Sequence, residues 1–422
     1  MILKGVREKL SKELFFQKNG VRYPSGRVVL NTLLLGVKCL AGLFLTCLLA
    51  PLSLVKPMEI WQMNRRLLKL SFFIEDLETG LRDLQLRGKS GRVWVIALYP
   101  AAFPNRYLAS MYRRQITIVG PEQKWLAEVI RFVLPIFRIS RKRVMDRSDA
   151  KFEKWNQGRP SLSFTDDEIK RGMILEKDLG LKPNQRYICL AFQSTRYRDR
   201  VDEAQTFDWA KKMDLRSCIQ EPKKYFPTIR FLNLQNIGVV RMGIFEEFKL
   251  PENLGSLTYD YANTHRSEFG DIWMASKCDF FLTAGAGAWW LGAMFGKQVL
   301  ATDSYALTGT YGTNDLFIPQ LAQFTETGEL ANFEWLINNQ MWAGDINRVN
   351  KEYLIKKNSP SQILEACKEM LMRINGQWTD TAEDIELQER FRQVQLGFPA
   401  GDRKPARIGA KFLREHQHLL PD

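Results

Sequence analysis

Four apolar runs in this chain are too short for helices and are separated by segments of helical composition. They are YICLAF (187–192), IGVVRMG (237–243), DFFLTA (279–284) and KQVLATD (297–303). Apolar strands in alternation with helices imply an α/β fold, a parallel sheet covered on both faces. The pattern around them predicts helices over 226–236, 269–278, 285–296, 359–374 and 378–394, and a short strand within 255–261. Thr165 with Glu168 three residues later predicts a capped helix that ends at Gly180. Upstream, VWVIALY (93–99) and QITIV (115–119) read as strands around a helix at 106–114. Residues 124–143 read as an amphipathic helix, and 144–163 as a polar connection. The partition that follows is an N-terminal segment over 1–90, a small Rossmann-like domain over 91–163 and a larger one over 164–422.

The N-terminal third carries the charge. Residues 1–147 hold 26 Lys and Arg against 10 Asp and Glu, whereas the remainder is close to balanced, with 35 against 37. That asymmetry calls for an anionic partner, a lipid surface or a nucleic acid. Residues 28–55 decide for a membrane over nucleic acid, because Lys38 is the only charge in these 28 residues. As a helix they would reach about 42 Å, against a hydrocarbon core of about 30 Å. A signal peptide or a buried core helix is the alternative; a signal's apolar stretch is only about 7–15 residues long. Basic residues flank the run on both sides, so a single span would break the positive-inside rule. A re-entrant or interfacial helical segment on an anionic leaflet, with the rest of the chain at the cytoplasmic face of the inner membrane, satisfies it. Trp125, Val129, Val133 and Phe137, followed by Arg138, Arg141, Lys142 and Arg143, form a second candidate for the interface. A core helix of the adjacent domain fits those residues equally well.

Several chemistries are excluded. Six cysteines contain no Cys-x-x-Cys pair, and His265, His416 and His418 are the only histidines, so no zinc ribbon or His-Glu-x-x-His site exists. No Asp-x-Asp pair is available to hold a diphosphate-bound metal ion. The pattern Gly285-Ala-Gly287-Ala-Trp-Trp is neither Gly-x-Gly-x-x-Gly nor a P-loop. The expectation is no metal and no cofactor.

The strongest local signal is the strand that ends in Thr283 and turns through Gly285 and Gly287 into a helix. Ligands of open α/β sheets sit at the C-terminal strand ends, and glycines there let backbone N–H groups approach a phosphate. A tight packing turn would use the same residues. Arg241 and Gly243 end a second strand, where an arginine can clamp a phosphate or make a salt bridge. Arg266 and Ser267 precede a helix, Ser267 also being its candidate N-cap, and His265 beside them is a candidate base. In QSTRYRDR, after strand 187–192, Arg196 and Arg198 are candidate acceptor or phosphate contacts and Asp199 a candidate base; a solvated charged loop is the plainer reading.

These motifs resemble a known family. DLGL…YICLAF, IGVVRMG, YDYANTHRSEF, DIWMASKCDFFLTAGAG, FGKQVLATD and the C-terminal ILEACKEML…DIELQERF…ARIGAKFLREH are similar to bacterial glycosyltransferases of surface-polysaccharide biosynthesis, distantly like GT-B fucosyl- and heptosyltransferases. The resemblance covers about residues 93–420. It implies a GT-B-like pair of Rossmann-type domains, a nucleotide-sugar donor, a surface-glycan or lipid-linked acceptor bound by 91–163, and metal-independent transfer. Where such relatives carry a His-x-Arg-Asp-like run, this chain has AFQSTRYRD. That departure motivates a rival expectation: a membrane-tethered scaffold or nucleotide-sugar-binding protein that keeps the fold without catalysis.

Overall fold

The structure is a computed structural model. It describes residues 33–44, 47, 56–63, 69–99, 102–133, 140–143, 150–192, 221–244, 248–285, 287–304, 307, 309–339, 348–399 and 402–421. The chain divides into two compact units. One comprises Met1–Leu68, Gly88–Pro104 and Ala109–Met145; the other comprises Lys69–Arg87, Asn105–Leu108 and Asp146–Asp422.

The first unit is built on a four-stranded parallel sheet. Its strands are β1 (Met58–Gln62), β2 (Trp94–Leu98), β3 (Thr117–Val119) and β4 (Ser140–Arg143), in the order β3-β2-β1-β4. Met58, Ile60, Ile96, Leu98 and Val119 pack against Ala127 and Ile130 of the helix Lys124–Val133. That helix is shorter than the predicted 124–143: Pro135 cannot continue a helix, and the basic run beyond it forms β4. Val129 is buried while Trp125 is 51% exposed, so the helix serves the core and leaves one aromatic outside. Val133 and Phe137 lie outside the described side chains, as do Arg138, Arg141, Lys142 and Arg143.

Within the apolar run 28–55, residues 33–44 are helical. Leu33, Leu34, Val37, Leu40, Leu43 and Phe44 are exposed on it, and Lys38 pairs with Glu128. The remainder of the run, apart from Cys47, lies outside the described residues. Among the described residues no helix is long and apolar enough to cross a membrane.

The second unit holds a seven-stranded, wholly parallel sheet. Its strands are β5 (Tyr187–Phe192), β6 (Gly238–Met242), β7 (Thr258–Tyr259), β8 (Phe280–Ala284), β9 (Gln298–Ser304), β10 (Leu316–Pro319) and, after the antiparallel pair β11 (Leu321–Phe324) and β12 (Tyr353–Lys356), β13 (Arg407–Ile408). The order is β13-β10-β9-β8-β5-β6-β7. Numbered within this unit it reads 3-2-1-4-5-6-7, the doubly wound arrangement whose winding reverses between β5 and β8. Every residue of β5, β6 and β8 is buried, as expected for strands covered on both faces.

The capping expectations at Thr165 and Ser267 hold. Thr165 and Glu168 form a capping box at the start of Asp166–Asp178, Ser267 caps Glu268–Lys277 by accepting from Gly270 N, and Ser359 opens Pro360–Ile374 with a second capping box. Gly172 lets Asp166–Asp178 pack on Glu268–Lys277, since a Cβ there would lie 2.1 Å from the Trp273 ring.

Two elements depart from expectation. The connection 144–163 contains the helix Ala150–Gln157, whose Phe152 and Trp155 are buried. The helix Leu70–Leu86, within a stretch that reads as membrane flank, buries Asp76, Glu78, Arg82 and Asp83 in the second unit. Glu78 binds Arg82 at 2.9 Å and accepts from Ser161 N at 2.9 Å. Arg82 donates to the carbonyls of Trp155 and Met294 and stacks over the Trp155 ring.

Asp315, just before β10, is buried and accepts from Thr310 Oγ1 at 2.7 Å and from the N–H groups of Val299 and Gly312, both at 2.8 Å. Burial outweighs these bonds and raises its carboxyl to about 6. A carboxyl whose folded value is raised contributes stability that is complete below its unfolded value, about 3.9, and is lost as pH rises through its folded value. The stability of wild type relative to Asp315→Asn is therefore expected to fall by about 2 kcal/mol between pH 4 and pH 7. Urea unfolding of both proteins across that range measures the difference; a pH-independent gap would contradict it.

Candidate active site

The C-terminal edge of the large sheet gathers most of the predicted residues. At its centre, beside the reversal between β5 and β8, Thr283 and Ala284 end β8 and the chain turns through Gly285, whose φ is +67°. A left-handed residue here suits glycine, which has no Cβ to clash. Ala286 lies outside the described residues. Gly287 is exposed, and a Cβ on it would meet nothing closer than Ser71 at 3.8 Å. The predicted helix 285–296 is realised as a 3-10 turn, Gly287–Trp289, followed by the short helix Trp290–Ala293. Trp289 and Trp290 stack at 4.4 Å, and the Trp290 ring meets Tyr311 edge-on. Gly296, with φ +78°, closes the segment. Donors for an anion would come from the backbone of one helical turn, whose first N–H groups have no partner within it.

Beside this turn lies a polar cluster. The Thr302 hydroxyl donates to the Thr283 carbonyl at 3.2 Å and bonds the Tyr225 hydroxyl at 2.7 Å. Burial, then the nearby Asp303 charge, push the Tyr225 hydroxyl well above its ordinary value. Asp303, the next residue on β9, is 1% exposed and has a left-handed φ of +48°. Its N–H donates to Asn358 Oδ1, and its Oδ1 accepts from Asn358 N. Burial raises its carboxyl, while the Asn358 bond and the charges of Lys224 and Lys357 hold it down. Sequence reading ended strand 297–303 at this residue without assigning it a role. The available signal was an acid closing the strand next to a glycine turn.

The arginines stand differently from one another. Arg241 is next to last in β6, with a side chain 0% exposed; it donates to the Phe248 carbonyl and pairs with Asp260 at 3.1 Å. Its structural task is to fasten the segment 248–260 to the sheet. Gly243 follows at the strand end, half-buried. Arg266 pairs with Asp271 at 2.9 Å, where burial raises the Asp271 carboxyl to about 6 against the pull of Arg266. Tyr261 fixes this corner by accepting from Ser267 N at 3.0 Å and donating to the Ser267 carbonyl at 3.1 Å. Ser267 is thus an N-cap within a hydrogen-bonded knot, and His265 is exposed at the end of the preceding short helix. Arg196, Arg198 and Asp199 lie outside the described residues.

No protein-family model and no curated protein sequence matches the chain. Solved structures do align with it at low identity. A family 9 glycosyltransferase from Veillonella parvula is 7% identical with a TM-score of 0.41, over 75% of this chain and 97% of its own. The E. coli ADP-heptose lipopolysaccharide heptosyltransferase II is 10% identical with a TM-score of 0.40, over 75% of this chain and 100% of its own. The E. coli heptosyltransferase WaaC is 9% identical with a TM-score of 0.27, over 62% of this chain and 92% of its own. All three are glycosyltransferases, the class whose motifs the sequence resembles.

Proposed function

We propose that the protein is a membrane-associated, nucleotide-sugar-dependent glycosyltransferase acting on a surface-glycan or lipid-linked acceptor. The observation that supports this most is the pair of half-buried Gly285 and exposed Gly287 after β8, at the C-terminal edge of a 3-2-1-4-5-6-7 parallel sheet, beside its winding reversal. The donor diphosphate lies on the backbone N–H groups of that turn, and these fixed donors meet the charge that develops on the leaving nucleotide. An acceptor hydroxyl attacks the anomeric carbon, the glycosyl–phosphate bond breaks, and a base takes the hydroxyl proton. His265 and Asp199 are the assigned candidates for that base. Backbone donors make a metal ion unnecessary in this scheme. The smaller unit would take the acceptor.

The rival reading, a nucleotide-sugar-binding protein without transfer, draws on one observation: Arg241 and Arg266, expected at the phosphates, are paired with Asp260 and Asp271. Incubation of the full chain with radiolabelled nucleotide sugars and native membranes separates the two. Label appearing in lipid or polysaccharide supports transfer; nucleotide-sugar binding without any label transferred or nucleotide released supports the rival.

Membrane association rests on the exposed apolar residues of helix 33–44, on Trp125 and on the basic charge of the first third. The attachment places the catalytic part at the cytoplasmic face of the inner membrane, where nucleotide sugars are supplied. A variant lacking residues 28–55 should still bind anionic vesicles, but its binding should fall steeply with salt. Each basic residue near the surface adds about 1 kcal/mol, and that attraction is screened. Co-sedimentation at low and high salt tests this; salt-insensitive binding to neutral vesicles would show insertion of apolar residues instead.

A further inference from the structure

We propose that helix 33–44 does not cross the bilayer but lies in its interface, clasped to helix Lys124–Val133 by the Lys38–Glu128 ion pair, so that the two helices meet the lipid as one element. The inference rests on the membrane-association reading and adds how the apolar run engages the lipid. Both helices belong to the first unit, so the clasp is internal to it.

Three observations carry it. The first is that helix 33–44 is turned inside out. Leu33, Leu34, Val37, Leu40, Leu43 and Phe44 are exposed, whereas Leu35, Lys38, Cys39 and Gly42 are shielded, a spacing of three and four residues that marks one face. The only charge of the apolar run therefore sits on the shielded face, and hydrocarbon side chains cover the open one. A helix built for water does the reverse. The second observation is where the partner stands. Glu128 lies among Ala127, Val129 and Ile130, which are buried in the first unit. A crossing helix would have to give up that pair or carry part of the folded unit into hydrocarbon. The third is Trp125, exposed one turn before Glu128 on its helix and so beside the clasp. Tryptophan is a side chain that favours the headgroup level.

Charge assigns the open face to lipid. Residues 1–147 carry 26 Lys and Arg against 10 Asp and Glu, which suits an anionic leaflet. The bilayer also strengthens the clasp. Lys38 and Glu128 are 31% and 35% exposed, so in water the pair is screened and holds little. Beside lipid tails, with water excluded, the attraction grows and a charge without its partner becomes costly. The pair is thus loose in water and tight on the membrane, which fastens the apolar run to the unit where lipid is present.

The test is co-sedimentation of the full chain with vesicles of phosphatidylcholine, alone and mixed with phosphatidylglycerol. Glu128→Gln separates the readings by sign. It adds one net positive charge, so attraction alone would tighten binding to the anionic vesicles about 5-fold. The clasp predicts binding weakened about 10-fold or more, because Lys38 loses its carboxylate within an apolar helix. Adding Lys38→Met to Glu128→Gln should bring binding back to within about 3-fold of wild type. Thermal melts accompany both proteins. Hydrogen exchange on wild type needs no variant and decides alone if Glu128→Gln does not fold: on vesicles, the amides of 33–44 and of 124–128 should slow together. Equal or tighter binding by Glu128→Gln would overturn the proposal, as would slowing confined to 33–44. A vesicle-free dimer that Leu40→Glu breaks would give the open face to a second copy and overturn it too. Wild type that binds neither vesicle overturns the membrane reading itself, whereas tight wild-type binding that Glu128→Gln leaves intact removes only the clasp.

Discussion

Gly287→Val is expected to weaken nucleoside-diphosphate binding by about 100-fold or more while leaving the fold intact. Gly287 is exposed, its φ is not in the left-handed region, and its nearest neighbour on the Cβ side is Ser71 at 3.8 Å. The protein therefore has room for the new side chain, and the branch enters the space an anion needs to reach the backbone donors. A glycine kept only for packing would show the reverse pattern, a lowered melting temperature with unchanged affinity. Titration and thermal melting of the same preparation distinguish the two. Gly285 is a poorer probe, because any side chain is strained at its φ of +67° whatever the ligand does.

The second large effect is on stability. Arg241→Ala should cost about 3–5 kcal/mol, the range for removing one partner of a buried ion pair. It strips the Phe248 carbonyl and Asp260 of a donor at the end of β6 and leaves the volume of a large buried side chain empty. Asp260 keeps its bonds from Leu250 N at 3.2 Å and from Asn263 at 2.9 Å, so the segment loosens rather than losing every anchor. Denaturant unfolding measures the loss; a change below about 1 kcal/mol would mean that the pair breaks even against its desolvation.

The two variants also show where sequence reasoning reached its limit. An arginine that closes a strand near a glycine turn reads as a ligand contact, because sequence gives its position along the chain and not its partner. Asp260 lies 19 residues away and belongs to a different element, so the ion pair that draws Arg241 inward is invisible without the fold. Helix Leu70–Leu86 was hidden for a related reason. Its buried face carries Glu78 and Arg82, one helical turn apart, and these satisfy each other inside the protein. A hydropathy pattern treats both as solvent-facing, and the segment looks like a basic flank of the membrane run. Asp303 is visible in the sequence only as an acid closing a strand beside a glycine turn; its buried oxygen without a partner among the described residues and its backbone angle of +48° belong to the fold.

What was legible had local causes. Strands β5 and β8 are nearly continuous apolar runs, and β6 and β9 carry apolar centres, because both faces of a parallel sheet are covered. Thr165, Ser267 and Ser359 mark helix starts because each satisfies an N–H group three residues on. The glycine turn after β8 was legible as a turn because two glycines directly follow an apolar strand, whether they serve packing or a ligand. Strands β10 and β13 were not, since Leu316–Pro319 and Arg407–Ile408 are four and two residues long and pair across a separation of some 90 positions.

The central claim is that the Gly285–Gly287 turn holds the diphosphate of a nucleotide-sugar donor. Calorimetric titration of the full chain with ADP, GDP, UDP and CDP, wild type and Gly287→Val in parallel, addresses it most directly. The account predicts that wild type binds at least one nucleoside diphosphate, with the phosphates contributing most of the affinity over the bare nucleoside, and that Gly287→Val binds it about 100-fold or more weakly while melting as wild type does. Equal binding by the two proteins, or no binding by wild type to any of the four, would contradict it.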